Sequence, residues 1–416
     1  MAGDGGRRRG GRRGEGREEG KERRRRNGNT EEAGNVSGRG RSGAGRRPVS
    51  KDPMMSHASR VRSGRGDAPV LEEEKVDIAV QMSRFWEAVV GVQQQREALR
   101  LRRFAYSKDI ILHDLTGPGC IPDYRLGVRD SEKSLVGFIA AVPGPHCAGN
   151  PEASSAVPMV EINFLCVTSH LRNQGMAPLL IKEITRRVNV NGTFQAIYTA
   201  GVPVTAPVCV ANYYHRTLNA LKLLETEFTY CPPRMSQREF VGRYRMPSTP
   251  RLTGFRPMTK KDMPQAQDLL QTYLRQFRFH PEVSKRSFQH KFKHSPGVTQ
   301  TYVIERDGAV VGFGSFYTVD TQVLQHSKHS VIRAAYLHHC CVADGYGLTR
   351  TDMMRDLLIA ASASGHDVFN SLNIADNEEF LDTLRFGRGN GKLYYYVFNW
   401  KWGAPATARD VAVVLV

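Results

Sequence analysis

Apolar residues along this chain alternate over short runs and then recur three or four positions apart, which predicts a mixed α/β fold. Tyr124 to Arg129 and Leu135 to Val142 read as strands across the polar turn Asp130-Ser131-Glu132-Lys133, and Glu161 to Val167 is a further strand. Ala177, Ile181, Ile184 and Val188 then keep helical spacing on one face, with Lys182, Arg186 and Arg187 opposite. Phe194 to Ala200 returns as a strand and completes a β-α-β unit.

The second half repeats this rhythm. Thr301 to Glu305 and Val310 to Val319 are strands across the turn Arg306-Asp307-Gly308, and Ala334 to Val342 is another. Thr351 to Ser364 reads as helix, Val368 to Asn373 as strand, Asp376 to Leu384 as a short helix and Tyr394 to Trp400 as a strand. An amphipathic helix from Pro264 to Phe277 precedes them, with Leu270, Tyr273, Leu274 and Phe277 at helical spacing. The halves align at a constant offset of 175 residues: Val136-Gly137-Phe138 on Val311-Gly312-Phe313, Cys166-Val167 on Cys341-Val342, Phe194 on Phe369. An internal duplication is the expected cause. The turn-rich segment Pro247-Ser248-Thr249-Pro250 separates the halves.

A length of 416 residues suits two domains with extensions, here 77–248 and 249–416, preceded by a tail. Charge is lopsided: residues 1–66 hold 19 Lys and Arg against 8 Asp and Glu, a net +11 of the chain's +18. This Arg/Gly-rich tail has almost no apolar residues with which to offset ordering entropy, so residues 1 to about 76 are expected to be disordered. A polycation of this kind suits contact with ribosomes, RNA or an anionic membrane by counterion release. The N-terminus has no apolar core segment of a secretory signal, and no run approaches the ~18 apolar residues of a membrane span. Seven cysteines without a C-x-x-C pair argue against a disulfide framework or zinc knuckle. His338-His339-Cys340-Cys341 reads as alternation along a buried strand, so no metal is expected, and the expected compartment is reducing and cytoplasmic, with ribosome or membrane association through the tail.

The stretch from Glu161 to Pro178 carries the candidate chemistry. Its strand ends in a loop with Arg172, Gly175 and Ala177 before the helix. Arg-x-x-Gly-x-Ala at a helix start suits the pyrophosphate of an acyl-CoA, because backbone N–H groups point at the anion and small residues let it approach. An ordinary βα turn fits the same spacing. The second half has Asp344-Gly345-Tyr346-Gly347 there, with no basic residue before it, so one half should hold the CoA.

Strand, loop and helix together resemble the GNAT acyltransferase fold. Longer strings are similar to the eukaryotic N-myristoyltransferase family: Glu161 to Val167, Ile184 to Val188, Tyr198 to Val202, Tyr214 to Asn219, Gly365 to Asn370, Phe386 to Gly391 and Tyr395 to Trp400. The resemblance runs from about Phe85 to the C-terminus. It implies two tandem GNAT-like halves related by pseudo-two-fold symmetry, and a monomer. It further implies transfer of a tetradecanoyl group from myristoyl-CoA, a co-substrate rather than a permanently bound cofactor, to the N-terminal glycine of proteins or nascent chains. On that pattern the backbone N–H groups of Phe164 and Leu165 face the carbonyl oxygen and the α-carboxylate of Val416 takes the amine's proton. Arg84, Phe85, Trp86, Leu165, Cys166, Val167, Arg172, Asn173, Gly175, Met176 and Ala177 would surround the acyl-CoA. Asn163, Thr199, Gly201, Tyr213, His215, Ser315, Asn390 and Gly391 would line the peptide groove, with a small opening at Gly201 admitting glycine.

The chain departs from the family pattern in places. Only 17 residues separate Trp86 from Phe104, where the family has a longer segment with an acidic loop over the peptide. Asn390 stands where the family has Asp, Gly175 where it has a basic residue, and Val416 where it usually ends in Leu or Gln. The alternatives are a catalytically impaired homologue that binds acyl-CoA or peptide, and a GNAT enzyme using acetyl-CoA.

Overall fold

The computed structural model describes residues 70–73, 102–148, 156–402 and 405–416. The expectations for most of the basic tail, for Arg84, Phe85 and Trp86 and for most of the shortened segment lie outside the described residues. Val70–Glu73 is an exception. It forms strand β1, paired antiparallel with Arg125–Arg129, so the tail does not run uninterrupted to residue 76. A strand added at a sheet edge gains main-chain hydrogen bonds without needing a core of its own.

The first half continues with β2 (Arg102–Ala105), α1 (Lys108–Leu115), β3 (Arg125–Arg129), β4 (Leu135–Ala148), β5 (Val157–Val167), α2 (Met176–Val190), β6 (Gln195–Ala200), β7 (Cys209–Thr217), α3 (Ala220–Glu225) and α4 (Gln237–Tyr244). The second half holds β8 (Phe255–Pro257), α5 (Met263–Leu274), β9 (Phe279–Pro281), α6 (Lys285–Lys291), β10 (Thr299–Arg306), β11 (Ala309–Thr318), β12 (Asp320–Val323), β13 (Val331–Ile332), β14 (Ala334–Val342), α7 (Arg350–Ala363), β15 (Val368–Leu372), α8 (Glu378–Leu381) and β16 (Gly387–Phe398). One large sheet runs β1-β3-β4-β5-β6-β16-β7-β15-β14-β11-β10-β8. In both halves three antiparallel strands are followed by a parallel step, β5 to β6 and β14 to β15. The last strand of each half then crosses over: β7 pairs with β15, β16 pairs with β6, and β7 and β16 pair with each other. The turn-rich segment at 247–250 therefore marks no break in the sheet.

The duplication is visible in the register itself. Gly137 faces Val167 and Phe138 faces Cys166; at the same offset of 175, Gly312 faces Val342 and Phe313 faces Cys341. The equivalence slips by two residues beyond the crossover helices. Val160 pairs with Ala196 and Ala335 with Phe369, so Ala196, not Phe194, is the structural counterpart of Phe369.

Helix α2 corrects the expected face. Met176, Leu180, Ile184 and Val188 are buried, whereas Ile181 is 45% exposed. The cause is Gly137 in β4: a Cβ there would stand 3.2 Å from Leu180 Cδ1, so the glycine makes room for Leu180 and fixes the helix's rotation. In α5, Leu270, Tyr273 and Leu274 are buried, and Phe277 follows just past the helix end. Strand β14 matches its expectation, and His338, His339, Cys340 and Cys341 are all buried in it. Strand β7 has no counterpart in the sequence reading.

Gly314 in β11 is a second close approach, this time to α7. A Cβ there would stand 2.4 Å from Leu357 Cδ1 and 2.8 Å from Met353 Cε. Gly314→Ala should destabilise the protein by about 1–3 kcal/mol through overpacking. Gly242→Ala in helix α4, where a Cβ meets nothing within 4 Å, should be neutral or stabilising by up to about 1 kcal/mol. Denaturant melts of the two variants check the contrast.

Candidate active site

Strand β5 carries a bulge at the residues that matter most. Phe138 faces Cys166 and Ala140 faces Asn163, so Phe164 and Leu165 together oppose Ile139. Phe164 has φ 58°, in the left-handed region that costs a non-glycine residue about 1–2 kcal/mol. Burial holds it there. Phe164 is 8% exposed, its ring meets Tyr106 edge-on at 5.7 Å, and Cys166 Sγ donates to the Phe164 carbonyl at 3.2 Å. A bulge interrupts the ladder and re-aims the local peptide planes. The second half has its own irregularity at the corresponding place, because Ser315 faces His339 while Phe316 faces Leu337, leaving His338 as the extra residue. His338 and His339 are not at positive φ, so among the described residues only the first copy has the left-handed twist.

The loop after β5 turns twice through left-handed conformations, at Asn173 (φ 61°) and Gly175 (φ 83°). A Cβ on Gly175 would meet nothing within 4 Å, so the glycine serves the dihedral rather than space. Gly175 caps α2 with no side-chain hydrogen bond, which leaves the first-turn N–H groups to an outside acceptor. Arg172 Nε donates to Val167 O at 3.2 Å and ties the loop to the strand end. Met176 is buried and Ala177 half-buried. Arg172, Asn173, Gly175, Met176 and Ala177 thus form one turn next to Leu165, Cys166 and Val167.

The expected peptide residues separate into groups. Asn163 Nδ2 donates to Asp114 Oδ2 at 3.1 Å, immediately before the bulge. Thr199 in β6 pairs with Tyr395, and Gly201 follows in open space, where an added Cβ would touch nothing within 4 Å. Tyr213 and His215 lie on β7 with parallel rings 6.5 Å apart. His215 Nδ1 bonds Asn370 Oδ1 at 2.6 Å, and burial lowers its pKa against that hydrogen bond, favouring neutral imidazole. Gly389 backs onto the ring; a Cβ there would stand 2.3 Å from His215 Nε2. Asn390 and Gly391 are exposed where β16 jumps from Arg388 facing Tyr214 to Lys392 facing Asn212. Ser315 is the deepest of the expected groove residues. It is fully buried, with its hydroxyl 2.9 Å from Thr301 Oγ1, on a strand paired at both edges and packed against helices on both faces.

The last residues run into the core. Val411 to Val414 are buried, Ala412 N donates to Phe279 O at 2.7 Å, and Tyr395 OH donates to Val413 O at 2.9 Å. Val416 lines a cavity of about 110 Å³ shared with Asp114, Glu161, His290, Lys291 and His338. That leaves room for several waters. Burial, and then the negative charge of Glu161, push Asp114 up to about 6. Burial also works against ionised Glu161, yet Lys291 and His146, whose Nε2 is 3.2 Å away, hold it below its ordinary value. His113 and His290 stack at 4.5 Å, and His290 Nε2 lies 2.6 Å from the His113 carbonyl. Sequence reasoning missed Asp114, Glu161, His290 and Lys291 as a group. They come from α1, β5 and α6, and no local spacing links them.

Asp114 keeps a proton in the folded chain that the unfolded chain releases above its ordinary value of 3.8. Stability should therefore fall as pH rises from about 4 to about 6. Asp114→Asn keeps an oxygen for Asn163 and removes the titration. It should raise stability at pH 7 by on the order of 1 kcal/mol, with the gain vanishing at pH 4. Thermal melts of both proteins across that range check it.

Comparison with known proteins identifies the family. The N-terminal domain of myristoyl-CoA:protein N-myristoyltransferase matches residues 92–211, and its C-terminal domain matches residues 225–412. Glycylpeptide N-tetradecanoyltransferase 2 of Bos taurus is 41% identical over 316 residues, covering 75% of this chain and 62% of that protein. Glycylpeptide N-tetradecanoyltransferase of Plasmodium falciparum is 37% identical over 319 residues, covering 76% and 75%. The chain thus spans under two thirds of the length of the first of these. A crystal structure of Saccharomyces cerevisiae N-myristoyltransferase with bound myristoyl-CoA superposes with a TM-score of 0.77 at 31% identity, over 86% of this chain and 87% of that one. Two exchanged GNAT-like halves in one sheet, with matches of this extent and identity, make the chain a member of the N-myristoyltransferase family.

Proposed function

We propose that this protein transfers a tetradecanoyl group from myristoyl-CoA to the N-terminal glycine amine of other polypeptides. The observation that carries the reading is the left-handed bulge at Phe164–Leu165, set directly before the Arg172–Ala177 loop. The loop and the N-terminus of α2 hold the CoA phosphates, so the thioester reaches back towards the bulge. The neutral amine attacks the thioester carbon, the new C–N bond forms, and negative charge gathers on the carbonyl oxygen. Backbone N–H groups of Phe164 and Leu165 stabilise that charge, worth on the order of 3 kcal/mol for one donor in a dry site. Collapse of the intermediate breaks the C–S bond and releases CoA.

The incoming glycine is an ammonium and must lose a proton first. The α-carboxylate of Val416 is the acceptor in this proposal, supported by the buried course of residues 411–414 and by the cavity that Val416 lines. Asp114 supports a second reading, because it shares that cavity and bonds Asn163 beside the bulge. Neutral His215, sealed between Gly389 and Asn370, positions the groove rather than exchanging protons. The missing Asp at Asn390 relaxes the preference for a lysine in the peptide.

A mass-spectrometric assay with myristoyl-CoA and acetyl-CoA against Gly-first and Ala-first peptides tests the activity. Tetradecanoyl should be transferred in preference to acetyl, and only to glycine. Acyl-CoA binding without turnover on any Gly-first peptide would mark an impaired homologue instead. Adding residues after Val416 should lower kcat about 10²–10⁴-fold while sparing acyl-CoA affinity. If the extended protein keeps its rate and Asp114→Asn loses it, the base is Asp114.

A further inference from the structure

We propose that Cys147, His280 and Glu282 form a zinc-binding site that clips the first half of the chain to the second. The register dictates the grouping. Strand β4 pairs antiparallel with β9, and Cys147 stands directly opposite His280. Directly opposed residues of an antiparallel pair share a face, and so do residues two apart on one strand. Glu282, two beyond His280, therefore joins the same face, and its N–H extends the pairing by donating to Pro145 O at 3.0 Å.

Three ligand types that zinc takes converge there: a thiol, an imidazole and a carboxylate. Their ligand atoms all lie within 4.8 Å of one another. Glu282 Oε1 is 3.7 Å from His280 Nε2 and 3.9 Å from Cys147 Sγ. Metal–ligand bonds of about 2.0–2.3 Å set tetrahedral edges of about 3.3–3.6 Å, so the two edges to Glu282 need shifts of only a few tenths of an ångström and the Cys147–His280 edge closes from within 4.8 Å.

His280 gives the independent sign of a ligand. It is 4% exposed, and its Nε2 is buried without a hydrogen-bond partner among the described residues. Its Nδ1 lies 2.7 Å from Phe277 O, so Nδ1 carries the proton and Nε2 presents its lone pair. That is the arrangement by which a carbonyl fixes the tautomer of a metal-bound histidine. Arg275 supplies a matching outer contact: its Nη2 lies 3.3 Å from Glu282 Oε2, and its Nε lies 3.3 Å from Oε1. A metal on Oε1 would leave Arg275 the other oxygen, orienting the carboxylate. Cys147 and Glu282 are only half-buried, which gives the ion a way in and leaves a fourth position for water. A mixed sulfur, nitrogen and oxygen set of this kind favours zinc over magnesium or calcium.

The site is independent of the acyl-transfer reading and is tested without it. Full-length protein stripped with chelator is titrated with Zn(II) against a chromophoric competitor, and separately with Co(II). One equivalent of zinc should bind, and Co(II) should give a near-ultraviolet thiolate charge-transfer band. Cys147→Ala and His280→Ala should each weaken zinc by at least about tenfold. Zinc should raise the melting temperature of the parent protein and not that of the variants. Zinc affinity unchanged in both variants, or a cobalt complex of the parent protein without the thiolate band, would overturn the proposal; the second readout does not depend on either variant folding.

Discussion

A single main-chain ladder through β6, β16, β7 and β15 is the constraint on which the rest of the structure depends. Each half donates its last strand to the other, so the pseudo-two-fold axis passes between β7 and β16. The exchange decides where the site can be. Strand β16 sits mid-sheet, and the chain leaving it must run back past β9, where Phe279 and Val411 meet in a parallel bridge. Tyr395, fully buried in β16, then fastens Val413 from below. The terminal residue reaches the cavity because the sheet directs it there.

Electrostatics in that cavity follow from burial and from Lys291, which lowers both carboxyls. Asp114 and Glu161 are both removed from water and cannot both ionise cheaply. Lys291 and His146 hold Glu161 low against its burial, whereas burial and then Glu161 raise Asp114 against the pull of Lys291 and Asn163. Two carboxyls pushed apart in this way let one site hold a proton and an anion together below about pH 6. His338 and His339, buried beside them, are driven towards the neutral form by burial and then by Lys291. At the offset of 175, His338 and His339 of the second half thus stand where the first carries Asn163 and Phe164.

Much of the fold was legible because periodicity and burial agree. Strands β3, β5, β11 and β14 and helices α2, α5 and α7 lie close to where alternation and helical spacing put them. Strand β7 escaped because Cys209-Val210-Ala211-Asn212-Tyr213-Tyr214-His215-Arg216-Thr217 breaks its apolar run with polar side chains. Those polar groups are satisfied by distant partners, as His215 is by Asn370, and a sequence does not display such pairings. The face of α2 was misread because the deciding contact is with Gly137, a residue with no side chain to count. Within the site, the Arg172–Ala177 turn was readable from spacing. The bulge residues and the terminal carboxylate came from family resemblance, and Asp114 with its cavity neighbours came from neither.

The exchange of terminal strands also bears on how the chain is synthesised. Until residues 387–398 have left the ribosome, β6 keeps one bare edge and β7 lacks β16, and its other neighbour β15 arrives only with residues 368–372. Half-by-half folding during translation is closed to this topology, because Ala200 must wait for Tyr394. A chain stopped early would present open strand edges, the usual template for aggregation. Contacts this far apart along the chain also make for slow folding.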